Sequence, residues 1–403
     1  MELEELLKKD NLIIMGSHEY PGIDRIQFWG GVGEVVRNIS ERLAQKDWEV
    51  LVLPRLVTEY RTSTPIFIEH NGVHLLGLEI QRYLAGEENG DLYLTYPGYE
   101  GTTTLDHAYT TWRYLEKHGL KNPIVHVHDW LGVGWAREGK RRGCKTIFSV
   151  HMSVLRDSSQ VLIDKRLELE KLAGQYAQTI HYVSFDTYKS CRTHGWNSNK
   201  KQLVIPNGVD VDKFKPITER SPEEYILFVG RLVPVKNVPN LIQGWSRFND
   251  KYPEVKLQIL GAPGASYVDV VNTFNALTPE KKARVELRTA MVPFEERLRR
   301  IQNASVLCAP SSDEAFGIVA VEAQACGIPV VVGDVGGFKE NVLEGVTGTH
   351  ITGTNIDSIA QGLELAYLNR KEFGKNGRKL VEGYFDWNKI VERYVKELYG
   401  DKE

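Results

Sequence analysis

A chain of 403 residues is longer than one hydrophobic core usually organises, so two domains are expected. With 42% apolar and 26% charged residues it has the balance of a soluble globular protein, and a net charge of −3 excludes a chain that binds nucleic acid through overall basicity. Four scattered cysteines (Cys144, Cys191, Cys308, Cys326), a polar start (MELEELLKKD) and no apolar run of membrane-spanning length exclude a disulfide framework, a zinc ribbon, a secretory leader and stable membrane insertion, and predict a cytoplasmic protein.

Short apolar runs alternate with amphipathic stretches from end to end. In the first half the predicted strands are Asn11 to Gly16, Glu49 to Pro54, Ile124 to Asp129, Lys145 to His151 and Thr179 to Ser184. Helical patterns fill the gaps, as at Val32 to Gln45 and Arg166 to Tyr176. The stretch FWGGVGEVVRNIS (Phe28 to Ser40) is a glycine-rich turn opening a helix, where Gly30, Gly31 and Gly33 let the backbone approach a phosphate or a sugar ring. It is neither a dinucleotide fingerprint, because Val36 stands where Gly or Ala is needed, nor a P-loop, because the lysine and hydroxyl pair is missing. In VHVHDW, His126 and His128 share one strand face and Asp129 stands at the carboxyl end. Two histidines and one aspartate at this spacing suit ordinary packing better than a metal, and no metal or other cofactor is expected.

The segment Ile205 to Glu224, dominated by proline, glycine and charge, reads as a linker. Its Asp-Val-Asp (Asp210 to Asp212) imitates a metal-binding motif and is assigned no metal. The pattern then restarts, with strands at Tyr225 to Gly230, Lys256 to Gly261, Ser305 to Pro310 and Pro329 to Asp334. Strands apolar on both faces that alternate with helices point to parallel sheets covered on both sides, so the fold class is α/β with two doubly wound, Rossmann-like domains. The expected boundaries are 1–206, 207–385 and a C-terminal helix over 386–403, whose Trp387, Ile390, Val391 and Tyr394 share a face and would pack toward the first domain. Two such domains on a hinge would face each other across a cleft, with ligands at the carboxyl ends of the strands.

The segment SSDEAFGIVAVEAQACGIPVVV (Ser311 to Val332) carries two glutamates, Glu314 and Glu322, in an otherwise mostly apolar stretch. The spacing predicts a helix starting near Phe316 or Gly317 and ending before Gly327 and Pro329. Glu314 then lies in the loop, Glu322 on the helix, and the backbone N–H groups of Phe316, Gly317 and Ile318 between them form an anion cradle. A carboxylate matches a vicinal diol, so carboxylate, phosphate cradle, carboxylate matches a nucleotide sugar. The alternative is two solvated acids near a helix start, where the dipole favours them. Arg231 and Lys236, just past the first strand of the second half, supply two cations suited to a diphosphate, or else decorate a solvated loop. His151 ends its strand, as a site residue or as a packed strand-end histidine.

Arg231 with Lys236, Glu314 and Glu322 separated by seven residues, IPNGVD at the linker start and GGVGE near the N-terminus follow one another along nearly the whole chain. Together they resemble the retaining glycosyltransferases of the GT-B fold, family four and the related glycogen and starch synthases. The resemblance implies a catalytic set of His151, Arg231, Lys236 and Glu314. In it Arg231 and Lys236 bind the leaving diphosphate, Glu314 binds hydroxyls of the donor sugar and His151 contacts the transferred sugar. It further implies donor contacts from the backbone of Phe316, Gly317 and Ile318, from Glu322 to the ribose, from Val292 in TAMVPFEE to the base edge, and from Gly31 and Gly33 to the phosphates. Asp129, in a segment similar to the His-Asp-Trp of glycogen synthases, would face the acceptor.

The function so implied is transfer, with retention, of a hexose such as glucose from a nucleotide diphosphate sugar (ADP- or UDP-glucose) to an α-glucan or a small sugar-like acceptor. Phe28 stands where bacterial glycogen synthases carry lysine, which weakens the glucan reading. Tyr93, Tyr96, Tyr99 and the acidic Gly86 to Asp91 are candidates for the acceptor side. Other GT-B enzymes, such as a sugar-nucleotide epimerase, and a non-catalytic sugar-nucleotide sensor stand as alternatives.

Overall fold

The computed structural model describes residues 1–17, 20–21, 31–54, 66–77, 104–152, 163–193, 199–290, 292–351 and 355–400. The chain forms two compact units. Unit 1 comprises Met1–Val183, Thr187–Ile205 and the terminal stretch from Val391, and unit 2 comprises Ser184–Asp186 and Pro206–Ile390.

Unit 1 holds eight strands: β1 (Leu12–Gly16), β2 (Glu49–Leu53), β3 (Ile66–His70), β4 (Val73–Gly77), β5 (Ile124–His128), β6 (Thr146–Val150), β7 (Thr179–Tyr182) and β8 (Lys201–Val204). They lie in the order β3-β4-β2-β1-β5-β6-β7-β8. Every neighbouring pair is parallel except β3 with β4. That pair is a hairpin whose turn residues, Asn71 (φ 52°) and Gly72 (φ 78°), both take the left-handed conformation that lets a two-residue turn follow the strand twist. Ile14, Val125, Val127, Phe148 and Val150 are fully buried with Trp112 and Trp135 around them, so burial on both faces produces the apolar strand signature.

Unit 2 holds β9 (Tyr225–Val229), β10 (Lys256–Leu260), β11 (Val285–Arg288), β12 (Val306–Ala309), β13 (Val330–Gly333) and β14 (Gly348–Ile351). The sheet runs β11-β10-β9-β12-β13-β14 and is wholly parallel. Counted from its own first strand this is the 3-2-1-4-5-6 order of a dinucleotide-type fold. The strand order reverses between β9 and β12, which fixes where loops can diverge to leave room for a ligand. Leu227, Phe228, Leu257, Ile259, Val306 and Leu307 are at most 1% exposed along this seam.

The C-terminal helix Trp387–Arg393 continues into a wider-wound turn, Tyr394–Tyr399. Its last carbonyls are met by two lysines of unit 1. Lys145 Nζ donates to the Tyr399 carbonyl (2.8 Å) and Lys201 Nζ to that of Glu397 (2.7 Å), as cations should at a helix end.

The candidate active site

In unit 2 the loops after β9 and β12 are stitched together at the switch point. Asn237, left-handed at φ 50°, donates from Nδ2 to the Pro310 carbonyl (2.8 Å), and the Ser312 N–H donates to the Val235 carbonyl (2.8 Å). The short helical turn Pro234–Lys236 is thereby pressed against the loop that carries Glu314. Lys236 Nζ and Glu314 Oε2 form an ion pair at 2.5 Å, with side chains 23% and 18% exposed. Arg231, by contrast, is exposed, and its guanidinium meets no partner among the described residues.

The helix begins at Ile318 and ends at Ala325, one to two residues later than its apolar spacing predicts. The cause is Gly317, which caps it at φ 85°. A Cβ there would collide with Phe338 Cε1, so the position needs glycine for both conformation and space. The loop is also held by Gly337 N–H donating to the Glu314 carbonyl (2.9 Å) and by Asn341 Nδ2 donating to the Phe316 carbonyl. The backbone N–H groups of Phe316, Gly317 and Ile318 donate to no described group. Three free amides at a helix start, a free guanidinium and a half-screened ammonium make this end of the sheet suited to a polyanion.

Glu322 is only 6% exposed. Arg297 Nη1 donates to both its oxygens, at 3.1 and 2.8 Å, and the guanidinium is flanked by the rings of Phe214 (5.9 Å) and Phe294 (5.4 Å). The sequence reading passed over Arg297. In FEERLRRIQN it belongs to a ladder of alternating acids and bases that reads as a solvated helix face. Val292 lies two residues ahead of that helix, Phe294–Asn303, and is partly buried. None of the described hydrogen bonds joins it to Glu322.

In unit 1, Gly31 opens the helix Gly31–Ala44, and Gly33 is buried in its first turn. Gly30, Phe28, Tyr93, Tyr96, Tyr99 and the acidic run Gly86 to Asp91 lie outside the described residues. At the ends of β5 and β6, Asp129 adopts φ 54°, and its Oδ1 accepts from the backbone N–H of His151 (2.7 Å) and of Met152 (3.4 Å). An aspartate rarely takes positive φ without compensation, and here the two amides provide it. The imidazoles of His128 and His151 meet at 2.8 Å, Nδ1 to Nε2.

Strand alternation puts His126, Ser149 and His181 on the same face, and they form a chain ending on the C-terminal segment. Its last link decides every proton. The Ile205 carbonyl can only accept, so His181 Nε2 donates to it (2.7 Å) and His181 Nδ1 is bare. Ser149 Oγ therefore donates to His181 Nδ1 (2.7 Å), His126 Nε2 donates to Ser149 Oγ (2.6 Å), and the Tyr399 hydroxyl donates to His126 Nδ1 (2.6 Å). Burial, followed by neighbouring imidazoles, pushes His126, His128 and His151 well below the ordinary histidine range. His181 falls to about 4, chiefly by burial. All four are neutral at neutral pH. Among the described residues no group of three His, Cys, Asp or Glu is arranged to hold a metal ion. Asp210 of the Asp-Val-Asp accepts from the backbone N–H of Asp212 (3.2 Å) and of Lys213 (3.0 Å).

Comparison with known proteins bears on the family and the fold. Residues 29–213 match the family described as Glycosyltransferase Family 4, and residues 210–380 match Glycosyl transferases group 1. A D-inositol 3-phosphate glycosyltransferase of Geodermatophilus obscurus is 27% identical over 393 residues, covering 91% of this chain and 84% of that protein. The fold is shared with sucrose-phosphate synthase from Thermosynechococcus elongatus (TM-score 0.78, 21% identity, 96% of this chain and 98% of that one). It is shared also with the catalytic domain of starch synthase IV from Arabidopsis thaliana, bound to ADP and acarbose (TM-score 0.70, 14% identity, 95% and 97%). With the two family matches together spanning residues 29–380, the chain belongs to the family-four glycosyltransferases of the GT-B fold, which draw on a nucleotide-sugar donor.

Proposed function

We propose that the chain transfers a hexose, with retention of anomeric configuration, from a nucleotide diphosphate sugar to a hydroxyl of a small sugar-like acceptor. The observation that carries this reading is the cluster at the β9–β12 switch: the free Arg231, the Lys236–Glu314 pair and the three free amides of Phe316, Gly317 and Ile318. A diphosphate arriving there competes with Glu314 for Lys236 and releases the carboxylate to accept from sugar hydroxyls. As the C1–O bond to the diphosphate breaks, Arg231, Lys236 and the amides stabilise the charge that develops on the leaving oxygens. The acceptor oxygen bonds to C1 on the same face, and its proton passes to a diphosphate oxygen. Glu322, with Arg297 holding its carboxylate, receives the ribose diol, and the backbone of Val292 reads the base edge. His151 contacts the transferred sugar, Asp129 serves the acceptor side, and Gly31 and Gly33 serve the phosphates.

A small acceptor is favoured because the curated relatives are named for a phosphorylated cyclitol, and a solved neighbour is a sucrose-phosphate synthase. Extension of an α-glucan is the second reading, supported by the fold shared with a starch synthase. The test is nucleotide release from ADP-, UDP- and GDP-sugars with glucose 6-phosphate, inositol 3-phosphate, maltose or glycogen. NMR of the product then gives its anomeric configuration. Release that rises with a small acceptor and yields the donor's anomeric form supports the proposal. A rise with glycogen alone selects the second reading. Release with no acceptor dependence, or an inverted product, overturns the mechanism.

A further inference from the structure

Among the described residues, Nε2 of His128 and Nδ1 of His151 are both buried without a partner. They are the far nitrogens of the two rings that meet at 2.8 Å, with ring planes 22° apart. Since both imidazoles are neutral, the contact contains a single proton, and two arrangements are open. If His151 donates, the N–H left without an acceptor is Nε2 of His128, on the more deeply buried residue (2% exposed). If His128 donates, the orphan N–H is Nδ1 of His151, which follows the carboxyl end of β6, where ligands of such sheets bind. An orphaned buried N–H is costlier than a bare ring nitrogen. The better arrangement puts that proton where a ligand oxygen can take it.

We propose that His128 is a positioning residue for His151. It donates from Nδ1 to His151 Nε2 and so fixes that ring in one rotation and one tautomer, with Nδ1–H presented to an oxygen of the bound donor. The inference rests on the reading of His151 as a donor contact. The backbone is held independently, through the Asp129 carboxylate on the His151 N–H, so the ring contact sets the side chain alone. His128 is in turn fixed by its strand and by the His126 ring, tilted by 32° with its centroid 4.4 Å away.

Long-range proton–nitrogen correlation spectra of protein labelled with ¹⁵N-histidine read the tautomer directly, and the signal missing in His151→Ala assigns His151. The expected result is a His151 protonated on Nδ1 in the wild type and shifted to the commoner Nε2–H form in His128→Phe. His128→Phe should lose about ten- to a hundredfold in kcat with the donor KM nearly unchanged, the range typical of an outer partner that orients a functional imidazole. His128→Asn, whose amide can occupy the place of Nδ1, should recover most of it. Circular dichroism and a thermal melt establish that each variant is folded. A wild-type His151 protonated on Nε2 overturns the proposal whatever the kinetics. Full activity in His128→Phe, while His151→Ala is inactive, also overturns it. An active His151→Ala enzyme defeats instead the donor-contact reading, and with it the kinetic half of the proposal, while the spectrum still decides the tautomer.

Discussion

The two sheets solve the same problem with different chemistry. Both carry polar side chains at and below the carboxyl ends of their strands. In unit 1 these are neutral and bonded to one another, as His128–His151 and as the chain from Tyr399 to the Ile205 carbonyl. In unit 2 they are ions, either paired (Lys236 with Glu314, Arg297 with Glu322) or free, as at Arg231. A neutral network tolerates complete burial where each proton has a place, as in the chain to the Ile205 carbonyl, whereas ions stay near the surface or neutralise each other. Unit 1 therefore keeps geometry, and unit 2 keeps charge that a ligand can redirect.

The sharpest way to break this contrast is to remove the redirectable charge. Lys236→Ala and Arg231→Ala should each lower kcat by about two to three orders of magnitude with the melting temperature little changed. Near-normal turnover in both would leave the switch-point cluster without a catalytic role. Acidification tests the other side. A histidine whose folded value is lowered is less protonated in the folded than in the unfolded chain, so stability is full above about 6.5 and falls with pH. For His181 the window runs from the ordinary 6.5 to about 4. Within it each such histidine costs up to about 1.4 kcal/mol per pH unit. Urea midpoints should thus drop between pH 7.5 and 5.5, and His181→Gln should flatten the drop. A flat profile in the wild type would mean that the imidazoles are not held neutral.

Arg297→Ala is the next smaller effect. It should destabilise the fold by about 2–3 kcal/mol, because Glu322 stays buried after losing its guanidinium. It should also raise the donor Kd about tenfold. Pairing it with Glu322→Gln should recover most of the stability and none of the affinity, and calorimetry on the two variants separates the terms. The smallest effect is a control away from the ions. Asn355 caps the helix Ile356–Leu368 by accepting from the N–H groups of Asp357 and Ser358, so Asn355→Ala should cost about 1 kcal/mol with unchanged kinetics.

The sequence revealed the parts of the fold that are buried on both faces. All nine apolar runs read as strands are strands, because only two-sided burial makes Ile-, Val- and Leu-rich runs so short and so regular. The strands it missed, β3, β4, β8, β11 and β14, include both ends of each sheet, where one side is polar, as in Val285–Arg288 and Lys201–Val204. One signal was present and overlooked: Asn71-Gly72 between two apolar segments marks a hairpin. The pairing of Arg297 with Glu322 was illegible for a different reason, since a charged helix face looks alike whether it meets water or a buried carboxylate. His181 gave no hint of its partners, because a chain through three strands exists only in the folded sheet.

That chain has one further consequence. A row of imidazoles and hydroxyls looks like a proton wire, yet conduction by hopping needs a row that can run in either direction, so that each carrier resets after passing a proton on. This row is anchored on the Ile205 carbonyl, which has no proton to return, and all four links point the same way. It is a diode with no current source. Its four bonds follow one donor-to-acceptor order from Tyr399 to the Ile205 carbonyl, and reversing any one would set two donors or two bare acceptors face to face. The histidines of unit 1 act as a polarised fastener for the C-terminal turn, with proton transport excluded by a single backbone oxygen.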